Sequence, residues 1–202
     1  MRPWYQNAWR LISHPYAFFE EAINRRNPYP ATVTFIVTVI LTGFGWWITR
    51  WESVGSWVSA FYIGGFLTKL LLPIVTYPLA VMAIYLACRL LVRETHLSSF
   101  FAVWGFSYLP TFLFFTINIL AHILRQITWI AQLTIHPLLI LLLWAIIFLI
   151  LLWKLLLLTI TLRLAGNLPF GKILLALLIL GLITGAYWFL TFNLGWLKVP
   201  FI

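Results

Sequence analysis

"HPLLILLLWAIIFLILLWKLLLLTITL", residues 136 to 162, holds a single permanently charged side chain, Lys154. A helix this apolar has no polar face to offer water, so it belongs in a large core or in lipid. Four further runs share the pattern, from Ala31 to Thr49, Leu67 to Leu91, Ser99 to Ile123 and Lys172 to Leu194. Crossing a bilayer takes roughly 20 residues of helix, and each run is long enough. Composition decides between core and lipid. Charged residues make up 8% of the 202-residue chain and hydrophobic residues 63%, where a soluble domain carries about a quarter charged. Too little polar surface exists to enclose five such helices, so lipid must do it.

The expected fold is therefore all-α, a polytopic membrane helical bundle of about five transmembrane helices. Residues 1–30 form a cytoplasmic interfacial segment ahead of a five-span domain over 31–202. The run from His136 to Leu162 exceeds a perpendicular crossing, so it tilts or extends beyond the hydrocarbon. No linker divides the chain. The start lacks the continuous apolar core and small-residue site of a cleavable signal peptide, so the first run is expected to act as an anchor.

Orientation follows from the cations. With the N-terminus inside, Arg2, Arg10, Arg25, Arg26, Arg89, Arg93, Arg163 and Lys172 fall on the inner side and Arg50, Arg125 and Lys198 on the outer side. The positive-inside rule then places the N-terminus in the cytoplasm and the C-terminus outside, in the plasma membrane. The net charge is +9, yet the basic residues are scattered between apolar runs and form no polar stripe. No nucleic-acid partner is expected. Lys69 and Lys154, near or inside spans, read as snorkelling interfacial anchors.

The N-terminal segment alternates Trp4, Tyr5, Ala8, Trp9 and Ile12 with polar residues at helical spacing, the pattern of a helix lying in the headgroup layer. Pro15 then suits the first turn of a second helix whose apolar side is Phe18, Phe19, Ala22 and Ile23. Glu20 and Glu21 fall early in it and Arg25 and Arg26 late, as a helix dipole favours. Trp4, Trp9, Phe18 and Phe19 are the expected interfacial anchors.

Within the spans, "GFSYLP" is the costly stretch. Pro110 removes a donor and crowds the carbonyl four residues earlier, predicting a kink, with Ser107 and Tyr108 supplying local or neighbouring hydrogen bonds. Thr34, Thr38 and Thr42 share a helix face. Gly181 and Gly185 form a Gly-x-x-x-Gly pair, which predicts close helix contact within the chain. Pro73 and Pro78 predict a bend. Chemistry is hard to find. The chain has no Asp, one cysteine (Cys88) and four histidines without metal-ligand spacing, so no metal, cofactor or catalytic group is expected.

Three pieces of the chain resemble the YIP domain family of integral membrane proteins, in its short prokaryotic form. They are "HPYAFFEEA", "SFFAVWGFSYLPTFL" and "WKLLLLTITLRLAGNLPFGKILLALLI". The family's Pro-aromatic start falls on Pro15, Phe18 and Phe19. Its Tyr-x-x-Pro-like element falls on Tyr108 and Pro110, one residue tighter here, and its last polar turn on Arg163, Phe170 and Lys172. The resemblance implies five spans and a non-enzymatic scaffold that accompanies another integral membrane protein or complex or shapes the bilayer, with membrane lipids as the other partner. With only about 30 residues ahead of the first span, engagement of a Rab-type GTPase is not implied. A membrane subunit of a small-molecule or lipid transporter is the alternative.

Overall fold

The computed structural model describes residues 4–25, 27–54, 63–92, 94–125 and 137–193. Among these every regular element is helical. In chain order they are α1 (Trp4–Ser13), α2 (Pro15–Arg25), α3 (Tyr29–Val54), α4 (Ile63–Leu91), α5 (Leu97–Trp104), a 3₁₀ turn (Gly105–Tyr108), α6 (Leu109–Arg125), α7 (Pro137–Leu164) and α8 (Phe170–Asn193). Among the described residues four stretches are long and apolar enough to cross a membrane: Pro73–Leu91, Leu97–Ile117, Trp144–Leu164 and Phe170–Tyr187. A fifth counts if Pro15–Arg25 and Tyr29–Gly45 are taken as one bent span.

The helix boundaries have local causes. Pro15 has no N–H to give to the Leu11 carbonyl, so α1 stops and α2 starts with proline in its first turn. Asn27 Oδ1 accepts the Tyr29 N–H at 3.0 Å, which makes Asn27 the N-cap of α3 with Pro28 at the next position. At the other end of the chain, α7 closes on Asn167 at φ 50°. The Gly166 N–H reaches back to the Thr161 carbonyl and the Leu168 N–H to the Leu162 carbonyl, each at 3.3 Å, and these bonds satisfy two of the orphan acceptors at the helix end. Asparagine tolerates that left-handed conformation better than most side chains. Leu162 and Leu168 are both fully buried.

The chain forms two compact units: Met1–Val33, Thr76–Ser107 and Leu156–Ile202 make up the first, Thr34–Val75 and Tyr108–Leu155 the second. The N-terminal helices are thus part of a unit that also contains spanning helix. In that first unit α1 packs on α2, and α2 packs on α5. Leu11, Phe19, Val81, Cys88, Phe100, Val103, Leu157, Leu162, Leu168 and Ala176 are enclosed there. Glu21 bridges two helices, accepting from Arg10 at 2.7 Å and from Arg25 at 2.5 Å. Glu20 and Glu21 fall past the first turn of α2, beyond the reach of the helix N-terminus, so the dipole arrangement expected for them gives way to this ion-pair bridge. In the second unit α3 meets α6, where a Cβ at Gly45 would lie 3.2 Å from Ile119.

Candidate functional site

The stretch "GFSYLP" is where the structure departs most from a plain spanning helix. α5 ends at Trp104, four residues follow in 3₁₀ form, and α6 starts afresh at Leu109. Pro110 therefore stands second in a new helix, a position where its missing N–H leaves no carbonyl orphaned. The chain handles its proline by a change of helix type, where the sequence predicted a kink. Pro110 is fully buried, Ser107 is buried and Tyr108 half-buried.

In the first unit, the break is gripped from two sides. A Cβ added to Gly105 would overlap the carbonyl carbon and oxygen of Ala31 and come within 2.9 Å of its Cα. Backbone meets backbone there, between the first turn of α3 and the 3₁₀ turn. Gly105 is in the ordinary right-handed helical region, φ −58° and ψ −27°, so glycine serves space and not conformation. The Phe106 ring meets Phe18 edge-on at 4.8 Å and Phe19 at 6.2 Å. Phe19 has no exposed surface and Phe18 9%. Expected as interfacial anchors, both are enclosed by protein, because the apolar side of α2 faces α5 and the 3₁₀ turn. Trp9 does point outward, 68% exposed. The side chains of Trp4 and Lys69 lie outside the described residues.

A second close approach in the same unit joins α4 to the end of α7. A Cβ at Gly166 would fall 2.6 Å from Cys88 Sγ and 2.6 Å from the Leu162 carbonyl oxygen. Cys88 is buried and acts as a small packing residue. Lys172 Nζ donates to the Leu91 carbonyl at 2.8 Å, satisfying one of the orphan acceptors at the end of α4.

In the second unit, Tyr108 stacks edge-on against Phe35 of α3 at 4.9 Å. Lys154 Nζ lies 5.9 Å from the centroid of the same tyrosine ring, within range of a cation–π attraction that gains strength away from water. On α6 Thr111 is buried, and its hydroxyl has no hydrogen-bond partner among the described residues. The threonine face of α3 offers less chemistry than its spacing promised. Thr38 and Thr42 donate to the carbonyls of Thr34 and Thr38, each at 2.8 Å, bonds that stay within their own helix.

One packing expectation is not met among the described residues. A Cβ at Gly181 or Gly185 would find nothing within 4 Å among the described residues, so this pair makes no close contact with them. α4 continues as one helix through Pro73 and Pro78. Sequence reasoning also missed features that now carry weight. Gly105, Gly166 and Asn167 gave only one-residue signals inside apolar or polar text, and Leu11, buried on α1, was hidden among aromatic neighbours. Among the described residues no group of three His, Cys, Asp or Glu is placed to hold a metal. Comparison with protein-family models, curated proteins and solved structures gives no match to this chain.

Proposed function

We propose that the chain is a non-enzymatic integral membrane protein, a scaffold or accessory subunit that organises a partner membrane complex. The observation supporting this is the outer face of α8. Its apolar residues Leu178, Leu182 and Phe189 are exposed, and Gly181 and Gly185 leave room for a second backbone at close range. That face suits another membrane helix. A photo-crosslinker at Leu182 should give one discrete adduct with another membrane protein, lost when Gly181 and Gly185 are both changed to isoleucine. An absent adduct, or one indifferent to the isoleucines, counts against the proposal.

Placement in the YIP domain family rests on the resemblances of sequence already described. We infer five spans, a cytoplasmic N-terminus and an external C-terminus in the plasma membrane, supported by the uneven distribution of Arg and Lys. A periplasm- or exterior-active reporter fused after Ile202 should be active, and a cytoplasm-active one silent. The reverse pattern would refute the five-span count.

Lys154 motivates a second reading, a membrane subunit of a transporter, because a cation inside a span often marks a pathway. On the scaffold reading, Lys154→Leu leaves α8 crosslinking unchanged. A variant that assembles normally but loses a solute flux carried by the wild type in proteoliposomes would select the transporter.

A further inference from the structure

A groove of about 320 Å³ opens on the first unit between α2, α7 and α8, lined by Tyr16, Thr159, Ile160, Arg163, Phe170 and Ile173. Its wall is almost wholly apolar, and among the described residues that line it Arg163 alone is charged. The position is informative. Arg163 stands at the end of the spanning stretch Trp144–Leu164, and Phe170 at the start of Phe170–Tyr187. The groove therefore begins where hydrocarbon gives way to headgroups, and runs along α7 through Ile160 and Thr159 toward the span interior.

Charge marks what belongs at its mouth. Arg10 and Arg25 of this unit share Glu21, Lys172 is held by the Leu91 carbonyl, and Arg89 donates to the Tyr85 hydroxyl at 2.5 Å. Arg163 gives one N–H to the Leu168 carbonyl at 2.8 Å and pairs with no carboxylate among the described residues. A guanidinium has five N–H donors in a fixed fork that matches phosphate oxygens. The single bond to Leu168 anchors the fork and leaves the others for a ligand. Phe170, 77% exposed, and half-exposed Tyr16 flank it with apolar rings, the side chains that border headgroups at a membrane surface.

We propose that this groove binds an anionic phospholipid of the surrounding bilayer, its phosphate on Arg163 and an acyl chain along Ile160 and Thr159. The proposal concerns a lipid site and does not depend on the scaffold reading; its failure would leave the α8 crosslinking result untouched.

The test is native mass spectrometry of the full chain, delipidated in mild detergent and titrated with dioleoyl phosphatidylglycerol or dioleoyl phosphatidylcholine. The wild type should retain the glycerol lipid more tightly. Arg163→Gln should cut that preference about fivefold, the usual worth of one basic residue near an anionic surface. Ile160→Trp, which fills the groove and leaves Arg163 and its turn intact, should weaken retention of the same lipid by a comparable factor, so the result does not hang on one variant. Arg89→Gln, which removes an exposed cation outside the groove, should change nothing. Equal losses in Arg89→Gln and Arg163→Gln would reduce the effect to diffuse charge and overturn the site. So would an unchanged preference in both groove variants. Displacement of the lipid by millimolar inorganic phosphate would make it a free-phosphate site, and a change of oligomeric state in Ile160→Trp without lipid loss would assign the groove to a second copy of the chain. Either outcome also overturns the proposal.

Discussion

Gly105→Ala is expected to destabilise the protein by about 2 kcal/mol or more, one methyl group notwithstanding. Two effects compete. Alanine is a better helix former than glycine by about 1 kcal/mol, and Gly105 has an ordinary helical conformation that alanine can adopt. Against this, the new Cβ would overlap the Ala31 carbonyl. A flexible side chain could swing away, but here the obstacle is backbone in the first turn of α3, tied down by the Thr32 N–H to Pro28 carbonyl bond at 2.9 Å. Overpacking a tight site costs about 1–3 kcal/mol, and more when backbone must move. The steric term wins. Denaturant unfolding in detergent micelles, followed by tryptophan fluorescence, measures it. Gly171→Ala is the control, since a Cβ there has open space around it, and it should be neutral or slightly stabilising. Equal stability of Gly105→Ala and wild type would mean that the two backbones are not in contact.

The same glycine shows what a reader of the sequence could and could not see. Apolar runs of about 20 residues are a summed signal, so helices over the spans were legible from composition and length alone. Pro15, with no N–H, fixed a boundary through covalent chemistry and was equally legible. A glycine in "VWGFSY" is different. It has several causes in general, a turn, a close approach or a weak spot, and only the neighbour's position selects among them. Gly181 and Gly185 show the converse failure. Their spacing is a recognised contact pattern, yet within this chain it has no occupant among the described residues. Spacing tells which backbones can approach, not which ones do.

The aromatic cluster raises the same problem in another form. An amphipathic helix with an aromatic side fits a headgroup layer and a protein surface equally well, because both present apolar matter on one side and water on the other. Pattern alone favoured lipid for Phe18 and Phe19. Tertiary structure sets them against Phe106. The Gly105 contact brings Phe106 into reach, because it fixes the start of α3, and the chain that leads into it, beside the 3₁₀ turn.

Phe19→Ala should therefore undock α2. Burying a phenylalanine side chain is worth about 1.5–3 kcal/mol when the alternative is water, and edge-on aromatic pairs add about 0.5–1.5 kcal/mol. The water reference applies because α2 carries Glu20, Glu21 and Arg25, which hold it at the surface when it is released. A loss of about 3 kcal/mol corresponds to roughly a hundredfold rise in local opening, read as faster amide hydrogen exchange over Phe18–Arg25. The discriminating variant is on the other side of the contact. If α2 were only a lipid anchor, Phe106→Ala would leave its exchange unchanged, since Phe106 would have no part in holding it. If the helix is docked on the break in the span, Phe106→Ala must accelerate the same amides. The double variant Phe18→Ala with Phe106→Ala should then cost less than the two single changes added together, by about 0.5–1.5 kcal/mol, because the two rings share one contact. Strict additivity would separate the rings and return α2 to the bilayer surface.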